Sequence, residues 1–319
     1  MTKAKLSEKI GYGFGDMSSS MFWKIFSYYL PFFYSNIFGL SLAHAGTLLL
    51  VTKLYDAISD PVMGLIADRT STRWGKYRPY LLWIALPFAI AGILAFYTPQ
   101  TDNYTFKHIY AYVTYILMMT VYTAINVPYG AMLGVVTDDS REKSVFSSFR
   151  MFFAFIGSFI SMGIFEPLLR LRSSIMGTLP EKWTIVDSAP VDWTIALTVI
   201  GTICAVLFFL TFAMTREHVT ESEMAKAEET HKEEKKNSIM EALFCNAPWW
   251  LLLGGGISLL LFNCIRGGAA AYYFADVLGV KAIYTLAIFL TVGEISQLVG
   301  VVVTVPVSEK IGKKATFIA

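Results

Sequence analysis

Apolar stretches of about 20 residues recur along this chain, and they decide what it can fold into. A helix needs about 20 residues to cross a hydrocarbon core. Eight segments reach that length, near 11–38, 43–67, 79–98, 107–134, 146–168, 192–214, 248–276 and 282–307. The chain is 55% hydrophobic and 15% aromatic, with a mean hydropathy of +0.53, more apolar than a soluble domain. The expected fold class is therefore an all-α polytopic membrane protein. The net charge of +2 identifies no partner class. Cys204, Cys245 and Cys264 lie in or beside apolar spans without metal-ligand spacing, and read as packing residues. The first span follows a short Lys-containing tail and is too long for a cleavable signal peptide.

Basic residues orient such a chain. The connection between spans two and three, Asp68 to Arg78, holds four positive charges in eleven residues, whereas the one around Gly39–Ser41 holds none. The first of these is expected to be cytoplasmic. The N-terminus, the 4–5 loop (Asp138–Lys143) and the 6–7 loop then follow on the same side. Arg170, Arg172 and Lys182 in the 5–6 loop are a mild exception, accompanied by acids. The stretch from Thr215 to Ala247, rich in Glu and Lys, reads as a solvated cytoplasmic linker. The expected domains are a six-helix bundle over 1–214, the linker over 215–247 and a partial second bundle over 248–319. A weak repeat supports two halves. Gly64-Leu65-Ile66-Ala67-Asp68-Arg69 with Gly75-Lys76 beyond is echoed by Pro306 to Lys314, where an acid is again followed by glycine and bases. A full second half would need four more spans, so the sequence reads as a truncated or partial chain that stops at Ala319 as a ninth would begin.

Charges inside the spans are the candidates for function, because ionisable groups in the hydrocarbon are costly. Asp56 and Asp60 are four residues apart in the second span and so share a helix face. Like charges side by side repel unless a proton or a metal cation sits between them. Lys53 is a nearby charge partner, but one lysine does not neutralise two acids. Oxygen ligands suit hard cations, so Na+ or H+ is the expected partner, with Ser59 and Thr123 offering neutral oxygens. In the first span Ser20, Trp23, Lys24 and Ser27 share a polar, aromatic face suited to a sugar-binding wall. Lys24 could equally pair with the Asp56/Asp60 cluster. The glycines of that span read as close-packing residues. In the fourth span Tyr122, Asn126 and Gly130 lie at i, i+4 and i+8, and Asn126 followed by Pro128 suggests a locally broken helix facing a cavity. Arg150 opens the fifth span as an interfacial anchor. Arg266 in the seventh and Glu294 in the eighth are a candidate charge pair. No nucleotide loop, zinc site or nucleophilic triad is present, so the sequence carries no enzyme signal.

The stretch Asp56-Ala57-Ile58-Ser59-Asp60-Pro61-Val62-Met63-Gly64, with Gly75-Lys76-Tyr77-Arg78-Pro79, resembles the glycoside–pentoside–hexuronide:cation symporters. Tyr12-Gly13-Phe14-Gly15-Asp16, Tyr122 to Tyr129, and Arg266-Gly267-Gly268 through Phe274 match the same family in order. The resemblance implies a major-facilitator fold: a complete N-terminal six-helix bundle, plus the first two helices of the C-terminal bundle. It also implies alternating access around a central sugar site. Carried over by residue, it puts the cation site on Asp56, Asp60, Ser59 and Thr123. The melibiose permease, the family's type member, has asparagine at the position of Ser59, which leaves sodium against proton open here. Its sugar-binding aspartates fall on Ser20 and Asn126, its tryptophan one turn on falls on Gly130, and its sugar-holding arginine falls on Arg150. Loss of two acids with Lys24 kept implies a more positive cavity and an acidic glycoside such as a hexuronide.

The expected protein is thus a sugar:cation symporter of the cell inner membrane, monomeric, with a cytoplasmic N-terminus. Its partners are a sugar or glycoside and membrane lipid, without nucleic acid, and it needs no cofactor beyond the coupling cation, Na+ or H+. Sugar contacts are expected from Ser20, Trp23, Lys24, Tyr122, Asn126 and Arg150. Two other readings are a drug-type exporter on the same fold and a non-transporting membrane sugar-binding or interaction protein.

Overall fold

The structure, a computed structural model, describes residues 5–178, 185, 188–218, 246–272, 283–312 and 316. Many side chains in the last two helices, those of Arg266 and Glu294 among them, lie outside that description, as does 219–245 of the stretch read as a linker. The helices are α1 (Leu6–Phe32), continued by a π-helical turn (Phe33–Ile37), α2 (Leu42–Arg69), α3 (Arg78–Ala95), α4 (Tyr104–Val136), α5 (Ser140–Ile175), α6 (Pro190–Met214), α7 (Ala247–Tyr272) and α8 (Ile283–Ile311). Among the described residues the sole β feature is an isolated bridge between Thr72 and Gly75. The chain divides into two compact units, Met1–Val219 with Val301–Ala319, and Thr220–Gly300. Helices α1–α6 belong to the first.

The polar residues between apolar spans set the helix starts. Ser41, Asn103 and Asp139 each accept a backbone N–H of the following turn, from His44, Phe106 and Arg141, as N-caps do. The Asp139 cap makes Ser140–Lys143 the first turn of α5, so most of the stretch expected as the 4–5 loop is helical. Pro31 lies inside α1 just before the π-helical turn, where a proline removes one backbone donor. Pro128 does not break α4, which runs on to Val136; the Asn126 amide donates to the Tyr122 carbonyl at 3.0 Å.

Within the first unit α1 packs on α5 and α6, α3 on α4 and α6, and α2 mainly on α4. The α1–α5 seam is tight. A methyl group added at Gly157 would fall on the carbonyl oxygen of Met17, so a glycine there permits the close approach that membrane helices use in place of hydrophobic burial. One pole of the bundle is an aromatic core around Trp193, which is fully buried and lies 5.2 Å from Phe33, 5.6 Å from Phe165 and 6.0 Å from Phe96 between ring centroids. Helices α3, α4, α5 and α6 are long and apolar enough to cross a membrane. The charged residues of α1 and α2 dilute their hydropathy, yet α2 keeps an outward stripe of Leu54, Ile58 and Leu65, which are 63%, 69% and 61% exposed. A polar seam on one side and an apolar face on the other are what a helix between a protein interior and lipid requires.

Candidate functional site

The α2–α4 seam gathers the polar residues that the hydrophobic pattern leaves unexplained. Thr123, buried on α4, donates to Asp60 Oδ1 at 2.8 Å. On the same seam the Tyr55 hydroxyl lies 2.8 Å from Thr120 Oγ1, which itself donates to the Ile116 carbonyl. Two side-chain hydrogen bonds thus tie the helices across the seam. Asp56 Oδ2 faces the Lys53 ammonium at 3.4 Å, while its Oδ1 is shut off from solvent and has no hydrogen-bond partner among the described residues. Ser59 turns its hydroxyl to the backbone carbonyl of Asp56, at 3.4 Å, and not to either carboxylate. A carboxylate oxygen left without a donor suits a hard cation, which needs only oxygen lone pairs. Among the described residues no group of three or more His, Cys, Asp or Glu side chains gathers as a metal site.

Beside this seam lies a cavity of about 240 Å³, with Trp23, Ser27, Lys53, Tyr115 and Tyr122 in its wall. The Lys53 ammonium stands 4.4 Å over the Trp23 ring, within cation–π range. The rings of Trp23 and Tyr122 are 5.5 Å apart, one from α1 and one from α4. Lys53 is therefore shared: it reaches the Asp56 carboxylate and the wall of the cavity at once. Lys24 lies 5.7 Å from the Tyr28 ring, and Ser20 is half-buried on α1.

Arg150 stands apart from this wall in a cluster that the spacing of residues did not reveal. Its guanidinium pairs with Asp16 at 3.1 Å and lies 5.2 Å from the Tyr129 ring. Tyr129 stacks on Tyr12 at 4.8 Å and donates to its carbonyl at 2.6 Å. Asp16, Tyr12 and Tyr129 fall within motifs quoted for the family resemblance, which is the signal that could have singled them out. The Asp16 pairing also bears on the charge of the cavity. The Arg150 charge is met by Asp16 and the Lys53 charge by Asp56.

The fold and these buried charges define a multi-pass, all-helical membrane protein with a polar site built into its helix packing. The family model described as MFS/sugar transport protein matches residues 11–319, and the chain belongs to that family. It is 38% identical over 300 residues to the putative glycoside/cation symporter YagG of Escherichia coli (strain K12), covering 94% of this chain and 60% of that protein. It is 34% identical over 304 residues to the inner membrane symporter YicJ of the same organism, covering 95% of this chain and 61% of that protein. The isoprimeverose transporter of Lactiplantibacillus pentosus is 31% identical over 312 residues, with 98% of this chain and 61% of the transporter covered. The chain thus spans about three fifths of the length of these relatives. The resemblance to glycoside–pentoside–hexuronide:cation symporters is borne out, and the family comprises transporters, not enzymes.

Proposed function

We propose that the protein serves sugar:cation symport in the cell inner membrane, carrying a sugar or glycoside together with Na+ or H+ by alternating access. The observation that carries this reading is the half-satisfied carboxylate of Asp56, one turn from Asp60 with its Thr123 donor, beside an aromatic cavity. In this reading Asp56, Asp60 and Thr123 bind the cation, with Ser59 turning its hydroxyl inward when the cation arrives. Trp23 and Tyr122 stack on the sugar. Ser20, Lys24 and Asn126, outside the cavity wall as it stands, bond its edges, while Arg150 is committed to Asp16. Arg150 and Lys53 are matched by Asp16 and Asp56, so the case for an acidic glycoside such as a hexuronide rests on Lys24. Coupling follows from linkage: the cation stabilises the sugar-competent arrangement, and sugar favours cation binding by the same factor.

Asp56→Asn and Asp60→Asn are expected to abolish uphill accumulation of labelled glycoside in energised membrane vesicles while leaving the protein in the membrane. Undiminished accumulation in both variants would reject the assignment. The drug-exporter reading has one observation in its favour, since Phe22, Phe26, Pro31, Leu49, Met118 and Met119 make most of the cavity wall apolar. A resistance assay with hydrophobic cations separates the two, because a symporter confers none.

A further inference from the structure

Two of the four histidines in the chain meet at the N-terminal ends of α2 and α4, well away from the acid pair in sequence. The rings of His44 and His108 lie 4.4 Å apart between centroids and 80° to one another. Each ring has its Nδ1 fixed by the first turn of its own helix. His108 Nδ1 is 3.0 Å from the Tyr104 carbonyl. A carbonyl only accepts, so in the neutral ring this nitrogen carries the proton and Nε2 the lone pair. That Nε2 is shut off from solvent and has no hydrogen-bond partner among the described residues. His44 Nδ1 lies 2.6 Å from the hydroxyl of Ser41, the residue that caps α2. The Tyr104 ring, 4.2 Å from His108 and 6.3 Å from His44, backs the pair.

An imidazole whose Nδ1–H is held by a backbone carbonyl, with its Nε2 lone pair unspent, is the arrangement that metal-ligating histidines adopt. His108 has that arrangement, and His44, whose Nδ1 is engaged by the Ser41 hydroxyl, offers its Nε2 as a second nitrogen from a separate helix. Imidazole selects borderline divalent ions over Ca2+ and Mg2+. We infer that His44 and His108 form a two-imidazole binding site for a Zn2+-like divalent ion across the N-terminal ends of α2 and α4. The rings now stand edge to face, so both must turn to aim Nε2 at a common ion with Zn–N bonds of about 2.0–2.1 Å, a rotamer movement open to side chains at helix ends. Once the rings turn, water entering from the exposed side of His44 fills the remaining positions of the ion's shell. The positive ends of the two helices oppose a cation, so binding depends on both imidazoles together. The site is independent of the transport reading above, and neither histidine belongs to the cation or sugar site proposed there.

The test uses the full chain purified without a histidine tag, titrated with ZnCl2 in detergent. Saturable binding is expected, raising the melting temperature, with no such effect from MgCl2. His44→Gln and His108→Gln, which keep side-chain volume and polarity, are each expected to weaken Zn2+ binding at least about tenfold, the loss seen even for an outer partner of a ligand. His218→Gln, away from the pair, is expected to leave it unchanged. X-ray absorption at the zinc edge is expected to show two imidazole scatterers, which does not depend on any variant folding. Zn2+ affinity equal in parent, His44→Gln and His108→Gln overturns the proposal. So does a zinc shell with fewer than two imidazoles.

Discussion

A carboxylate oxygen without a donor is costly where water is absent, and Asp56 keeps one. Asp60 differs, since Thr123 spends its hydroxyl on it. That asymmetry makes a prediction at a single side chain. Thr123→Val keeps the volume and removes the donor, and an intramolecular hydrogen bond to a charged group contributes about 1.5–3 kcal/mol. If Thr123 orders Asp60 for the cation, the cation concentration or acidity for half-maximal uptake rises at least about tenfold, from the low end of that range. An unchanged cation dependence would mean that Thr123 only packs. At this scale the sequence was readable where charges fell together at helical spacing in an apolar run. Asp56, Asp60 and Lys53 were visible by their spacing alone, and Thr123 by its position in the fourth span. Asp16 was not, because one acid among glycines carries no spacing signal and its partner Arg150 lies on a helix far along the chain. Nor was the Tyr55–Thr120 bond, because both residues are ordinary on a helix flank.

Helix α3, unlike α2, α4 and α5 with their own N-caps, is closed at its start by a residue from beyond another helix. The backbone N–H groups of Lys76, Tyr77 and Arg78 all donate to the Glu217 carboxylate at 2.8 Å, so the N-terminus of α3 is capped from beyond the end of α6. Arg78 in turn donates to the Phe212 carbonyl of α6 at 2.7 Å. Gly75, at φ +112°, turns the chain so closely around that carboxylate that a Cβ there would collide with it. Orphaned N–H groups at a helix start are otherwise left to water. Glu217→Ala is therefore expected to lower stability by about 1–3 kcal/mol, read as a drop in melting temperature of the detergent-solubilised protein, with Glu217→Gln intermediate. Equal melting temperatures for Glu217→Ala and the parent would show that solvent replaces the clamp at no cost. The helices themselves were legible from apolar run length, with ends displaced by a few residues where a cap or a proline intervened. The clamp was not. Glu217 opens a polar stretch that reads as solvated chain, and only the fold brings it to a helix start that carries its own basic residues.

One end of the first unit collects contacts that fix which loops share a side. His218, after α6, bonds Glu8 of α1 at 2.9 Å and donates its backbone N–H to the Val135 carbonyl at the end of α4. Lys9 pairs with Glu142 at the start of α5 at 2.8 Å, and Glu217 holds the α2–α3 connection. The beginnings of α1, α3 and α5 and the ends of α2, α4 and α6 therefore lie together, as an even number of crossings between them requires. Lys9, Arg69, Arg73, Lys76, Arg78, Arg141 and Lys143 are gathered at that end, against Lys107, Arg170 and Arg172 near the other. An excess of Lys and Arg in short connections marks the cytoplasmic face, although part of this charge is already matched by Asp68, Glu142 and Glu217. The bias in the sequence thus makes a statement about the whole bundle. With Cys204, Cys245 and Cys264 replaced by alanine, Ser71→Cys is expected to resist a membrane-impermeant maleimide in intact cells and to react once the membrane is permeabilised. Asp102→Cys, in the connection before α4 at the opposite end, is expected to react in intact cells. The reverse pattern would invert the bundle. It would place the His44/His108 pair in the cytoplasm and leave the positive end facing outward, against the rule that orients it.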